Sequence, residues 1–253
     1  MTAPAVVTWD GHTADALARE CGVPRLDLHD VLDSTQDVAH RLAEQGAPAG
    51  TVVLADAQRA GRGRMGRVWS SEPGKGVWCS VLERAVPADA LDVLSVRIGL
   101  EVAERLDAIA GAGETVSVKW PNDLVLHGAK LGGILVEARW SGNALAWVAV
   151  GVGINVVRPL SHATAAGMPR GVARADVLRA VVAGVRAAAA CAGHLSPDEL
   201  ARLEARDALR GKRIVEPAAG IVTGVTRSGE LVVETRAGTK RLRTGTIRMA
   251  EGT

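Results

Sequence analysis

Three short segments concentrate residues able to bind anions and to handle developing negative charge. The first is Gln58-Arg59-Ala60-Gly61-Arg62-Gly63-Arg64-Met65-Gly66-Arg67, followed by Trp69-Ser70. Glycine lets backbone amides approach an anion closely, and guanidinium groups clamp it with planar forks of donors. Phosphate is the natural partner. The run is not a P-loop, because no Gly-Lys-Ser/Thr follows, and it lacks the Gly-x-Gly-x-x-Gly frame of a dinucleotide fold. A solvated basic loop and an RGG-like nucleic-acid contact are the other readings of such a run. The second segment joins Lys119-Trp120-Pro121-Asn122-Asp123-Leu124 to Lys130-Leu131-Gly132-Gly133-Ile134-Leu135-Val136-Glu137. Two of the five lysines fall within twelve residues here, and Gly132-Gly133 inside a strand pattern signals a bulge or a ligand close to the backbone. The third, Asp33-Ser34-Thr35-Gln36, places hydroxyls and an amide where a helix begins; it reads equally as a plain N-cap. A fourth stretch, Gly151-Val152-Gly153-Ile154-Asn155-Val156, follows an apolar strand and either lines a pocket or makes a tight exit.

The elements that must hold these segments follow from hydrophobic spacing. Residues 11–21 and a run from Ser34 to Gly46 suit short amphipathic helices, and 90–109 and 174–190 suit longer ones. A further helix is expected over 198–209. Strand-like runs occur at 51–55, 76–82, 116–120, 124–126, 134–140 and 145–150, the last four joined by short connections. That order predicts an α+β domain on a mainly antiparallel or mixed sheet, not a series of βαβ units. After Gly211 four short β runs are separated by Gly220, Ser228-Gly229 and Ala237-Gly238, as in a small barrel that must pack on the main domain to be stable. The expected division is a catalytic domain over 1–208 and a small β domain over 209–253.

Bulk properties exclude several classes. Thirty basic against twenty-eight acidic residues give +2, too balanced for a surface that binds nucleic acid or membrane as a whole. Met1–Val7 has no signal-peptide character, and no apolar run reaches membrane-spanning length. Cys21, Cys79 and Cys191 are odd in number and far apart, which suits reduced thiols in the cytoplasm. The six histidines are scattered and give no zinc pattern. With no Phe or Tyr, the core must be built from Leu, Val, Ile, Ala and six Trp.

Ser34-Thr35-Gln36, Gly61-Arg-Gly-Arg-Met-Gly-Arg, Lys119-Trp-Pro-Asn-Asp, Lys130-Leu-Gly-Gly-Ile-Leu and Gly151-Val-Gly-Ile-Asn-Val stand in this order. Together they resemble the successive motifs of biotin protein ligases. The likeness covers about residues 30–157, and the β-rich tail resembles that family's SH3-like C-terminal domain. The resemblance implies activation of biotin by ATP to biotinyl-5′-AMP, then transfer to a lysine of a biotin carboxyl carrier domain. The segment before the first motif is short for a DNA-binding domain, so a monofunctional ligase is expected.

The resemblance also implies roles for residues. Lys130 and Arg64 are the expected catalytic groups. Ser34, Thr35, Gln36 and Gln58 would meet the biotin head, with Arg62, Gly63, Arg64, Trp120, Lys130, Gly132 and Gly133 around the rest of it. Arg62, Arg64, Arg67, Trp69, Lys119, Asn122, Asp123 and Asn155 would surround ATP or the adenylate. Mg²⁺ would arrive on the nucleotide phosphates without dedicated protein ligands. Gln36 departs from the family's usual Asn by one methylene. The rival readings are a lipoate or octanoate ligase and, from another class, a nucleic-acid-binding module.

Overall fold

A computed structural model of the chain describes residues 7–159 and 164–250. The first six residues, on which the signal-peptide reading mostly falls, lie outside them. A hairpin of β1 (Thr8–Trp9) and β2 (His12–Thr13) leads into α1 (Ala14–Glu20), β3 (Arg25–Leu32), α2 (Thr35–Glu44), β4 (Thr51–Gln58) and β5 (Gly76–Glu83). There follow α3 (Leu91–Ala110), β6 (Ser117–Lys119), β7 (Asp123–Leu126), β8 (Ala129–Ser141) and β9 (Ala144–Asn155). The remainder is α4 (Arg174–Ala189), α5 (Pro197–Ala205), then β10 (Arg213–Glu216), β11 (Gly220–Val225), β12 (Leu231–Thr235), β13 (Gly238–Leu242) and β14 (Arg248–Met249).

Seven strands form one sheet in the order β3-β4-β5-β9-β8-β7-β6. Only the β3–β4 pair is parallel, so the sheet is mixed, as the short connections imply. The strand period of two separates its faces. On one face Val52 and Leu54, Val77, Cys79 and Val81, and Val148, Val150, Val152 and Ile154 join the main core with residues of α1, α3 and α4. On the other, Val53, Ala55, Leu82 and Ala149 pack against Val38, Ala39, Leu42 and Ala43 of α2. Helix α2 covers one end of that face. Further along β8 and β9 the residues pointing the same way are Gly133, Gly151 and Gly153, and that end is left for other parts of the chain.

Three of the six tryptophans (Trp9, Trp78, Trp120) are core residues, whereas Trp140 is 52% exposed. The aromatic residues are thus not all interior filling. Helices α3 and α4 pack closely at Gly184, where a Cβ would stand 2.7 Å from Val102 Cγ2. Strand β3 is not among the expected strands: Arg25, Asp27, His29 and Asp30 make half of this edge strand polar. The helix expected to 209 ends at Ala205. Beyond it the backbone pairs with β6, Val118 N–H donating to Arg206 O and Ala208 N–H to Val118 O. A backbone group committed to a strand cannot also serve the helix.

The C-terminal strands form an antiparallel sheet, β13-β12-β11-β10-β14. Its buried Ile214, Val222, Leu231 and Val233 are continuous with the main core. Trp120 Nε1 donates to Gly229 O (2.8 Å), fastening the two sheets together. Residues 195 and 227 exchange two more bonds, Leu195 N–H to Arg227 O and Arg227 Nε to Leu195 O. The three cysteines are free, and no helix among the described residues is long and apolar enough to cross a membrane.

Arg97, 1% exposed, is held by Glu199 (Nε···Oε1 2.5 Å) and by the carbonyls of Gly193 and His194. Burial works to raise the Glu199 carboxyl, but the Arg97 guanidinium and Ser196 outweigh it and hold it below its ordinary value. A carboxylate with a depressed folded-state pKa stabilises above its unfolded value, and the gain disappears as pH falls through the folded one. Glu199→Gln, which strands a buried cation, is expected to lower stability by about 3–5 kcal/mol at neutral pH. Urea unfolding should show that deficit narrowing as the pH drops below the ordinary carboxylate value of 4.5.

Candidate functional site

The glycine-bearing end of the sheet opens into a cavity of ≈ 220 Å³. Its floor is Gly133, Gly151 and Gly153, its inner end Ser34, Thr35, Gln36 and Gln58, and its opposite rim Lys119, Asn122, Asp123 and Lys130. The Gly-Arg segment covers it with Arg62, Gly63, Arg64, Arg67 and Trp69. Fifteen of the seventeen residues expected at the site, Trp120 among them, line this one cavity. The two exceptions are Gly132 and Asn155. Gly132 is on the far side of β8, where a Cβ would stand 2.5 Å from Ile154 Cδ1. Asn155 lines an adjoining cavity that shares Val68, Trp69 and Lys130 with the first.

The inner end is a hydrogen-bonded set. Gln58 Oε1 accepts from the Thr35 backbone N–H (2.8 Å) and hydroxyl (3.2 Å), while Gln58 Nε2 donates to Ser71 Oγ and Ser80 Oγ to Thr35 Oγ1. These bonds fix the groups before any ligand arrives. Ser34 occupies the N-cap position of α2 as expected, but it is 2% exposed and its hydroxyl makes no capping bond to the helix. Gln36 Nε2 spans the carbonyls of Leu135 and Ala149, and its Oε1 is buried without a partner. The extra methylene relative to Asn reaches over Gly151, where a Cβ would come within 3.1 Å of the amide carbon.

The Gly-Arg segment is a tight hairpin, not a shapeless loop. Trp69 N–H donates to Gly61 O and Gly63 N–H to Arg67 O, with a single turn at Arg64–Gly66. Met65 takes a positive φ of 57° at the tip. Each arginine is anchored differently. Arg62 pairs with Asp37 (2.7 Å), which raises its pKa. Arg64 donates to Asn122 Oδ1 (3.2 Å) and Thr244 Oγ1 (3.1 Å), and Arg67 to Thr246 Oγ1 (2.8 Å). Burial draws the Arg64 guanidinium below its usual value, though a guanidinium remains charged at any physiological pH.

Lys130 Nζ lies 2.7 Å from Asp123 Oδ1 and 5.2 Å from the Trp69 ring centroid. Lys119 makes no ion pair among the described residues. The site thus presents five cations, Arg62, Arg64, Arg67, Lys119 and Lys130, against one lining carboxylate, Asp123. Gly245, Thr246 and Ile247 also line the cavity, although none of the sequence motifs includes them. Hydroxyls in a basic tail carry no signal that they close a site far away in the chain. Cys79 also lines it, but burial pushes its thiol up to about 12, so it is no nucleophile. Among the described residues no three His, Cys, Asp or Glu side chains gather as a metal site.

The chain belongs to the biotin/lipoate A/B protein ligase family, whose model matches residues 28–155, from β3 to the end of β9. It is 44% identical over 132 residues to the bifunctional ligase/repressor BirA of Bacillus subtilis, covering 52% of this chain and 40% of that protein. The biotin–[acetyl-CoA-carboxylase] ligase of Mycobacterium tuberculosis is 37% identical over 141 residues, 54% of this chain and 51% of that one. The chain thus matches about half or less of these relatives' length. A solved structure, biotin protein ligase from Aquifex aeolicus in complex with biotin and ATP, superposes with a TM-score of 0.74 at 27% identity, over 90% of this chain and all of that one.

Gly153 is where the cavity floor meets its cover. A Cβ there would stand 2.6 Å from Trp69 Cε2 and Nε1. Gly153→Ala must therefore lift the indole from the sheet, at a cost of about 1–3 kcal/mol for overpacking. A red shift of tryptophan emission with a lowered melting temperature checks this.

Proposed function

We propose that the chain activates biotin with ATP, forming biotinyl-5′-AMP and pyrophosphate, and then transfers biotin to one lysine of a biotin carboxyl carrier domain. The observation that carries this reading is the polarity of one cavity. Neutral hydrogen-bonding groups are fixed at its inner end, glycines and Trp69 line its middle, and cations gather at its outer rim. Biotin has a neutral ureido head, an apolar chain and a terminal carboxylate, which asks for that order of surfaces. The nucleotide's phosphates would meet the same cations, with the adjoining cavity beside Trp69 and Asn155 available to the base. The named relatives support biotin over lipoate as the acid.

In the first step a biotin carboxylate oxygen attacks the α-phosphorus, an O–P bond forms and the bond to pyrophosphate breaks. In the second, the acceptor amine attacks the acyl carbon and AMP leaves. Both steps gather negative charge on oxygen, so fixed cations lower the barrier more than any proton shuttle would. Lys130, kept at the rim by Asp123, exchanges that carboxylate for the two reacting anions and holds them together. Arg64 adds a second cation from the cover. Lys119, Arg67 and Asn122 help to hold the nucleotide, Ser34, Thr35, Gln36 and Gln58 the ureido head, and Trp120 backs the wall. With one lining carboxylate the chain suits a Mg²⁺ carried on the triphosphate, where it would neutralise the leaving pyrophosphate. A requirement for ATP and a carboxylase acceptor is in keeping with work in the cytoplasm.

Pyrophosphate release from Mg-ATP is expected with biotin, and not with lipoate or without acid. Lys130→Ala should lower that rate about 10²- to 10³-fold, the loss of one electrostatic stabiliser. Release driven by lipoate instead would move the activity to the other branch of the family.

Arg64 faces the reacting anions and also ties the cover to Asn122 and Thr244, so its loss should slow the chemistry and loosen the lid as well. In Arg64→Gly, adenylate formation is expected to persist while the intermediate escapes and acylates lysines indiscriminately. Retention of labelled adenylate on a desalting column measures this directly, and retention equal to the parent's removes the lid role.

A further inference from the structure

Behind the Arg62 end of the hairpin lies a polar cluster that does not line the cavity. Trp147 Nε1 is 3.0 Å from His40 Nδ1, and His40 Nε2 is 2.8 Å from Glu137 Oε2. An indole N–H can only donate. Nδ1 is therefore the acceptor, and the ring proton lies on Nε2, where it donates to Glu137. A second ring proton would set two donors against each other. His40 is 8% exposed, so water does not readily replace either partner.

The cluster reaches the lid. Asp37 and His40 are three residues apart on α2 and share one face of it. Asp37 grips Arg62 through two bonds, Nη1 to Oδ2 at 2.8 Å and Nη2 to Oδ1 at 2.7 Å. The Glu137 oxygen that accepts from His40 is also 3.9 Å from Arg62 Nη2. On the far side Arg84 stands over the Trp147 ring at 5.9 Å and donates to the carbonyls of Ala43 and Ala47, pinning Trp147 beside the end of α2. A buried histidine on a helix is ordinarily core filling. Here both ring nitrogens are used, one of them on a carboxylate that faces the lid.

We propose that His40 is a positioning residue: fixed as its Nε2–H form between Trp147 and Glu137, it orients the Glu137 carboxylate that, with Asp37, docks Arg62 and holds the Gly-Arg hairpin closed. It touches no substrate and acts through Arg62. The consequence for turnover rests on the adenylate-site reading given above; the docking itself does not.

His40→Leu removes both bonds. His40→Gln can restore them, its amide nitrogen donating to Glu137 and its oxygen accepting from Trp147. Two readouts separate docking from function. One is trypsin cleavage after Arg59, Arg62, Arg64 or Arg67 in the ligand-free chain; the other is retention of the adenylate formed from biotin and Mg-ATP. In His40→Leu, cleavage and adenylate loss should both rise roughly ten- to hundredfold, as for a lost hydrogen bond to a charged group. His40→Gln should return both to within about twofold of the parent, since it rebuilds the same bonds. Equal impairment in Leu and Gln variants would mean plain packing, and parental behaviour in both would mean no role; either overturns the proposal. Should His40→Leu not fold, Glu137→Gln removes only the charge facing Arg62, and must also speed cleavage. A wild-type chain that forms no adenylate overturns the functional reading, while the cleavage series still decides the docking.

Discussion

The structure depends on a patch of sheet without side chains. At Gly133, Gly151 and Gly153 the face of β8 and β9 that carries apolar residues elsewhere carries none. The indole of Trp69 lies against this patch, closer to Gly153 than any Cβ would permit. The cavity exists because α2 begins at its edge, with Thr35 and Gln36, and because the sheet beyond carries no side chain at three adjoining positions. Larger residues at those three positions would fill the space with the chain's own atoms, and the motifs above would have no room to converge. Backbone permissiveness is not the reason for glycine at these places; absence of volume is.

A second dependence runs between the two sheets. Trp120 is buried in the main core and donates to Gly229, so the segment that carries Lys119 and Asn122 is also the seat of the C-terminal sheet. Thr244 and Thr246 then receive Arg64 and Arg67 from the hairpin. The cover of the site is therefore shared by segments about 180 residues apart. Interactions across such a separation order a loop only after both sheets have formed, so lid closure reports on the integrity of the whole molecule.

Local chemistry was legible in the sequence, and long-range closure was not. Alternation and turn residues placed β4, β5 and β7–β9 well, because one or both faces of these strands are apolar. They did not single out β3, an edge strand half of whose residues are charged or His, nor the end of α5, which is set by pairing with β6. Fifteen of seventeen site residues gather in one cavity because dense runs of Gly, Arg, Lys and Asn have few structural uses in common. Gly132 was misplaced for a simple reason: adjacent strand residues face opposite ways, and only Gly133 faces the cavity. Thr246, Asp37, His40 and Glu137 carry no local signal, since their importance lies in what they hold.

Charge is where the whole-chain numbers mislead most. A net charge of +2 says little about an anion site, yet five cations line this cavity beside one carboxylate. How each cation is held then decides its use. Arg62 is gripped by Asp37, so its charge is largely spent on holding the hairpin. Arg64 and Arg67 are held by neutral acceptors, an amide and two hydroxyls, which fix a guanidinium without neutralising it. Lys130 is intermediate, kept at the rim by a carboxylate that must yield when a stronger anion enters. Fixing a cation with neutral partners preserves its field at low reorganisation cost, the condition under which an electrostatic catalyst works. The division between anchoring and acting arginines in one hairpin thus follows from the chemistry of the groups facing them, and not from their spacing in the motif.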